Sequence, residues 1–457
     1  MDGLSLKKKF NRKSKIKVLY DAQFLASYLY KDNGRRGIFF VVYNIFKELL
    51  RHPELEVEVY ARTDYDTYHR VKQAISQADF GTAVKCFHGN VKNFDIFLSP
   101  RHPIPKGIKK TGIVCYTIIH DLIPMVCPLH DKDILFFNII KSLTREDYIF
   151  AVSNFTKSDI IRLLPQVDPN KITKISLAAS TNFYPCTAGE QNRQIRIKYG
   201  IPIDKRYFFS ISAIEPRKNL IFTLKNFIKF IEENHIDDLV FVIAGYVNDD
   251  FKKIFNAAVA SLGENSTKII RIGYVEDEEL ASLYSHAECC VFVSLYEGFG
   301  LPPLEAMQCG CPVITSNTTS LPEVVGDAGI LVDPTNDEAL LTAYKKVYYD
   351  EKLRQELSQR GLKRAKNFSW EACVDTMVKE FKKHDFTQQK GSYIVSIPRP
   401  WKHLFKKFIF GIKNEPEKTK ITIFCLEIFK IKRKNGKKTF YILGIPIFKK
   451  NYNHANE

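Results

Sequence analysis

Ser294-Leu295-Tyr296-Glu297-Gly298-Phe299-Gly300-Leu301-Pro302-Pro303-Leu304-Glu305 is the stretch whose reading decides the fold. The apolar run Cys289 to Val293 precedes it and reads as a buried strand. Gly298 and Gly300 let the backbone turn sharply and come close to a ligand. Pro303 suits the first position of a helix, which puts Glu305 in that helix's first turn. A strand thus ends in a Gly-rich loop that feeds a helix N-terminus. In open α/β sheets ligands bind at the carboxyl ends of strands, and phosphates bind at helix N-termini. Glu297 and Glu305 flank the loop. A carboxylate repels phosphate but accepts hydrogen bonds from both hydroxyls of a diol. The stretch therefore suggests a phosphate beside polyols, as in a nucleotide sugar. On spacing alone, an exposed Glu followed by a helix-stabilising Glu explains the pattern equally well.

The residues downstream decide between these. Cys311-Pro312-Val313-Ile314, Ser320-Leu321-Pro322-Glu323-Val324, Gly326-Asp327-Ala328-Gly329 and Val332-Asp333-Pro334 follow in order. From Glu297 onward this run resembles the family-4 retaining glycosyltransferases. The resemblance implies a GT-B fold, an α/β architecture with two Rossmann-like domains facing across a cleft. It implies sugar transfer from a nucleoside diphosphate with retained anomeric configuration. It further implies that Glu297 contacts donor-sugar hydroxyls and Glu305 the ribose, with Gly298, Phe299, Gly300 and Leu301 completing the donor loop.

Upstream, strand Tyr207–Ile211 leads into Ser212-Ala213-Ile214-Glu215-Pro216-Arg217-Lys218-Asn219 and a helix from Leu220. Asn219 reads as an N-cap, so Arg217 and Lys218 add two cations to a helix dipole. The phrase resembles the family's diphosphate site, although Ala213 stands where many members carry another Arg. Loops at Gly245 and at Tyr274-Val275 resemble those that wall the nucleotide base. In the first half, strand Ile16–Tyr20 ends at Asp21, and Gly34-Arg35-Arg36-Gly37 precedes an apolar helix. Gly37 falls where many members place paired glycines near the donor phosphates or the acceptor; here Arg36 breaks the pair. The strand over 112–119 runs into His120-Asp121-Leu122-Ile123-Pro124, a phrase similar to that of surface-polysaccharide mannosyltransferases. In those, the residue at His120 lies beside the donor sugar, so a hexose such as mannose is the expected cargo. Ser153-Asn154-Phe155-Thr156-Lys157-Ser158-Asp159 also has a family counterpart and reads as structural, with Ser153 capping a helix.

The expected organisation is a basic arm over 1–15, an acceptor domain over 16–186, and a polar linker over 187–204. A donor domain over 205–367 follows, then a helix over 368–388 that returns to the first domain, and a basic appendage over 389–457. The net charge of +17 sits at the ends. Residues 1–17 carry seven Lys/Arg against one Asp, and 391–457 carry fifteen against four Glu. A neutral body argues against a nucleic-acid groove, and basic ends suit an anionic membrane surface. In the appendage, Lys420–Lys430 is echoed by Thr439–Lys449, with the turn signal Asn435-Gly436 between them, so a β-hairpin is expected. Trp401–Phe408 reads as a basic interfacial helix.

The ten cysteines show no zinc spacing, and no apolar run is long enough to cross a membrane. A reduced cytoplasmic compartment, with peripheral attachment to the membrane, is the default expectation. Asp64-Tyr65-Asp66 and Asp131-Lys132-Asp133 have the Asp-x-Asp form of metal-dependent enzymes but read as solvated charge. The expectation is therefore a hexosyltransferase that needs no metal or other cofactor. Its partners would be a nucleotide sugar and a lipid-linked glycan acceptor. A GT-B epimerase or phosphorylase, or a non-catalytic glycan-binding protein, remains the alternative.

Overall fold

A computed structural model of the chain describes residues 15–31, 37–61, 65–78, 80, 84–127, 133–187, 189–245, 249–388 and 390–395. It also describes the strand backbone at 411–415, 418–423, 426–434, 437–442 and 445–451. The first half runs β1 (Ile16–Asp21), α1 (Gln23–Lys31), α2 (Gly37–Arg51), β2 (Leu55–Tyr60), α3 (Tyr65–Gln77), β3 (Gly89–Asn90) and β4 (Ile96–Ser99). It continues with α4 (Lys106–Lys109), β5 (Val114–Ile119), α5 (Ile123–Val126), α6 (Ile134–Ser142), β6 (Tyr148–Ala151), α7 (Asn154–Leu163) and β7 (Ile172–Lys174).

The second half runs α8 (Glu190–Lys198), β8 (Arg206–Ile211), α9 (Leu220–Glu233), β9 (Leu239–Ala244), α10 (Asp249–Ala260), β10 (Ile269–Gly273) and α11 (Asp277–Ser285). Next come β11 (Cys289–Phe292), α12 (Leu301–Gln308), β12 (Val313–Ser316), α13 (Leu321–Val325), β13 (Ile330–Val332), α14 (Asp337–Tyr349), α15 (Glu351–Ala365) and α16 (Trp370–Phe381). Strands β14 (Ile394–Val395), β15 (Gly411–Glu415), β16 (Lys418–Ile423), β17 (Leu426–Lys434), β18 (Lys437–Ile442) and β19 (Ile445–Asn451) close the list of elements.

Strands such as β9, with all six residues buried, and β11, with all four, are continuous apolar runs. Such runs suit parallel sheets covered on both faces. Two six-stranded sheets result, ordered β2-β1-β4-β5-β6-β7 and β10-β9-β8-β11-β12-β13, and each is parallel throughout. In both, the chain crosses over midway and then builds outward in the other direction. The reversal lies between β1 and β4 in the first sheet and between β8 and β11 in the second. In such sheets ligands bind at the carboxyl ends of the strands flanking the reversal, where the loops leave in opposite directions.

Helix ends are fixed by side-chain caps. Ser153 accepts from Thr156 N, Asn336 from Ala339 N, Asp350 from Leu353 N and Ser369 from Ala372 N. Each such cap contributes about 1 kcal/mol. The last helix, α16, packs on the first half: Trp370 meets Phe40 at 5.7 Å, Phe381 meets Tyr116 at 5.0 Å, and His52 pairs with Asp375.

Several expectations differ from what is seen. The segment expected as a polar linker contains α8, whose Ile195 is buried and whose Lys198 pairs with Glu279 on α11 at 2.6 Å. Most of its charged side chains are exposed and only one edge is buried, which is why composition alone read it as a linker. The appendage is a five-stranded antiparallel meander, β15-β16-β17-β18-β19, rather than one hairpin. Strands β17 and β18 pair across 435–436, but the turn itself and Trp401–Phe408 lie outside the described residues. Strand β14 pairs with β3, and Lys390 reaches Asp95 at 2.9 Å, so residues 390–395 strap onto the first half rather than belonging to the appendage. Helix α12 begins at Leu301, so Glu305 is its fifth residue and not in its first turn.

Candidate active site

The site is built where the second sheet reverses. The loop after β8 carries Glu215 and then Arg217 and Lys218 in a single 3-10 turn over Pro216–Lys218, and α9 follows. The loop after β11 carries Tyr296, Glu297 and Gly298. The main chain joins them, with Leu295 N donating to Arg217 O at 2.8 Å. Asn219 does not cap α9. It sits in the left-handed region (φ 58°), and its side-chain amide instead donates to Pro334 O at 2.8 Å.

At the centre, Glu297 Oε1 lies 2.7 Å from Lys218 Nζ and 3.0 Å from Arg217 Nη1. Arg217 also reaches Glu215 at 2.8 Å and Tyr296 O at 3.0 Å. These side chains are only 11–14% exposed. Burial disfavours the Glu297 carboxylate, but Lys218 and Arg217 outweigh it and hold the group below its ordinary value. Burial lowers the Lys218 ammonium, against the pull of Glu297. Burial likewise works against the Arg217 charge, but Glu297, Glu215 and Asp121 hold it protonated. Arg217 Nε is buried and makes no hydrogen bond to the described residues.

The first half closes on this cluster. Gly298 lies so near the end of β5 that a Cβ there would fall 2.1 Å from the His120 carbonyl oxygen, so only glycine fits. His120 is 6% exposed. Burial, with Arg101 nearby, lowers its imidazole to about 3, so it is neutral at ordinary pH. Its Nε2 lies 3.1 Å from Pro100 O, an acceptor only, which makes Nε2 the protonated nitrogen and leaves Nδ1 as an acceptor. Burial raises the Asp121 carboxyl, while a hydrogen bond from Ile123 N and the charges of Arg101 and Arg217 pull it back. Arg101 itself pairs with Asp133 at 2.8 Å.

Glu305 stands apart from the ion cluster. Burial, with Asp277 adding like charge, pushes its carboxyl up to about 8, although the Tyr284 hydroxyl at 3.4 Å works the other way.

The structure therefore brings His120, Asp121, Arg217, Lys218, Glu297 and Gly298 together. Other expected donor residues fall elsewhere. Phe299 is 5% exposed and packs in the core near Phe368, so its ring is not available to a ligand. Val275 is 5% exposed and in the same core, while Tyr274 is 64% exposed with its hydroxyl near Glu276. Leu301 packs partly buried at the start of α12. Gly245 (φ 122°) is held where a Cβ would meet Ser212 O at 2.4 Å, so its backbone closes tightly on the β8 loop. Gly37 opens α2, and among the described residues no atom lies within 4 Å of where its Cβ would be; the arginines before it lie outside the described residues.

Asp133, expected as solvated charge, caps α6 by accepting from Phe136 N. No group of metal-ligating side chains occurs among the described residues. Sequence reading missed Arg101 and left Glu215 unassigned. Nothing in the local sequence marks Arg101; only the pairing of β4 with β5 brings it beside His120.

A model of the family described as glycosyl transferases group 1 matches residues 191–364. Over 291 residues the chain is 34% identical to O-antigen chain mannosyltransferase B of Escherichia coli, covering 63% of this chain and 74% of that one. The chain belongs to the group 1 glycosyltransferases. It is also 29% identical over 309 residues to the serotype-specific mannosyltransferase WbdA of Escherichia coli, covering 66% of this chain but 36% of that protein. Among solved structures, Anabaena HepE in complex with UDP and glucose superposes with a TM-score of 0.60 at 16% identity, covering 81% of this chain and all of that one. WaaG, a glycosyltransferase of lipopolysaccharide biosynthesis, superposes with a TM-score of 0.57 at 13% identity, covering 80% and 100%. At such identities the likeness is one of fold, and the fold of this group 1 glycosyltransferase is GT-B.

Proposed function

We propose that this glycosyltransferase moves a hexose, mannose in the first instance, from a nucleoside diphosphate to a growing, lipid-linked surface glycan, with retention and without a metal ion. The observation that carries the reading is the buried cluster of Arg217 and Lys218 sharing the Glu297 carboxylate at the reversal of the second sheet. Mannose and the surface glycan rest on the names of the relatives.

In the cluster two cations face Glu215 and Glu297, with Asp121 beside Arg217 and His120 uncharged. A diphosphate entering the crevice offers better acceptors to Arg217 and Lys218 than one shared carboxylate does, including to the unsatisfied Arg217 Nε. Glu297 is then free to accept from sugar hydroxyls. After the exchange the two cations meet the diphosphate, and the Glu297 carboxylate is met by sugar hydroxyls. As the glycosidic bond breaks, negative charge grows on the departing phosphate, and the two cations are already in place to receive it. Positive charge grows on the sugar ring, as in glycoside hydrolysis. Neutral His120, with its weakly basic imidazole, serves as a hydrogen-bonding wall rather than as a proton acceptor. The departing phosphate takes the acceptor proton.

The test is transfer from isotope-labelled GDP-mannose, GDP-fucose, UDP-glucose and UDP-galactose to octyl mannoside, with and without excess EDTA, read by mass spectrometry and by NMR of the new anomeric centre. Labelled mannose on the acceptor in the α configuration, undiminished by EDTA, is expected. Transfer from none of these donors, an inverted product, or a Mg²⁺-restorable loss in EDTA would each contradict the part of the reading it addresses.

A further inference from the structure

The Ser153–Asp159 phrase reads from sequence as structural within the first half, yet in the fold it faces the donor loop of the second. Ser153 Oγ lies 2.7 Å and Thr156 Oγ1 3.0 Å from the Gly298 carbonyl oxygen. One turn further along α7, Asp159 Oδ2 accepts from the Tyr296 hydroxyl at 2.5 Å. The same end of the helix takes the Glu323 carboxylate, whose Oε2 accepts from Asn154 N at 2.8 Å, while Lys174 lies 3.3 Å from its other oxygen. Ser153, Thr156 and Asp159 are all within 3% of complete burial. These contacts grip the residues on either side of Glu297, whose own carboxylate they do not touch.

We infer that Ser153, Thr156 and Asp159 are positioning residues for transfer. They hold Tyr296 and Gly298 of the donor domain against the first domain, and so fix where Glu297 aims when the cleft is closed. The chemistry favours this over simple domain glue. Three buried polar groups are satisfied across the interface by two backbone-adjacent points one residue either side of Glu297, where an apolar contact would have served for adhesion alone. Asp159 is preset for its task by Arg162, whose guanidinium Nε donates to it at 3.2 Å from the same helix. The inference rests on the donor reading of Glu297.

The experiment compares wild type with the double variant Thr156→Val/Tyr296→Phe, which removes only hydroxyls and leaves the Ser153 cap of α7 intact. Glu297→Gln serves as the reference for the donor site. GDP-mannose turnover and GDP affinity are measured for each, with Asp159→Asn and Asp159→Glu alongside. Measured well below its melting temperature, the double variant is expected to keep its GDP affinity while losing about tenfold or more in kcat, the sum of two buried hydrogen bonds. Asp159→Glu should recover more activity than Asp159→Asn. Unchanged kcat in the double variant, or a loss of GDP affinity as large as the loss in kcat, overturns the inference. If Glu297→Gln also retains full activity, the donor-site reading itself is at fault rather than the positioning role alone.

Discussion

At the residue scale, Glu305 yields the sharpest pH signature. Its carboxyl is pushed from 4.5 to about 8, so the folded protein holds a proton that the unfolded chain releases. The contribution of that protonated group to stability is complete below pH 4.5 and is lost as pH rises through about 8. Glutamine keeps the shape without titrating. Glu305→Gln should therefore melt higher than wild type at pH 8, with the gap closing as pH falls toward 4.5, in thermal scans without ligand. A gap independent of pH would mean that Glu305 is ionised in the free enzyme. The spacing of Glu305 from Glu297 was legible, but its neutral state was not, because only the fold buries it and sets Asp277 nearby.

At the scale of elements, the parallel strands and their order of alternation could be read from apolar runs such as Leu239–Ala244, since strands buried on both faces carry that signature. The loops over 212–219 and 294–300 were legible as strand-end loops for the same reason: each follows such a strand. What stayed hidden were contacts between distant pieces. Thr156 and Gly298 are separated by 142 residues and Ser153 and Gly298 by 145, and no local pattern in either phrase reports the other. The burial of the Val275 and Phe299 side chains was not legible, because a residue next to a ligand loop and a residue in the core beneath it look alike in sequence. Gly298 offers a test of domain closure. A methyl group there would lie 2.1 Å from the His120 carbonyl, so Gly298→Ala must hold the halves apart. Displacing reacting groups by about 1 Å costs on the order of 10²-fold, which is the expected loss in turnover. Small-angle scattering should show a larger radius of gyration. Wild-type turnover in this variant would mean that catalysis does not need the observed closure.

For the whole molecule, charge and fold are divided between regions. The two-sheet body is neutral overall, and the tail from 391 carries fifteen Lys/Arg against four Glu. No helix among the described residues is long and apolar enough to cross a membrane. Docking of the meander over 411–451 on an anionic bilayer is accordingly the attachment proposed for reaching a lipid-linked acceptor. Each Lys or Arg near such a surface contributes about 1 kcal/mol, and salt should release the protein. Because residues 390–395 strap onto the first half, the informative truncation comes after Val395. That truncation should abolish co-sedimentation with phosphatidylserine vesicles while leaving nucleotide binding unchanged. Equal binding to neutral and anionic vesicles, or retention of binding after truncation, would assign the tail another role.

The central claim is that Arg217 and Lys218 release Glu297 to receive a diphosphate. Calorimetric titration of GDP and UDP into wild type, Lys218→Ala and Glu297→Gln tests it most directly. Lys218→Ala should weaken binding of the preferred nucleotide by about 10- to 100-fold, the worth of a charge-assisted hydrogen bond. Glu297→Gln should bind that nucleotide at least as tightly as wild type, because its cations no longer have a competing carboxylate, and yet transfer no sugar. Weaker nucleotide binding in Glu297→Gln, or unchanged binding in Lys218→Ala, would contradict the exchange.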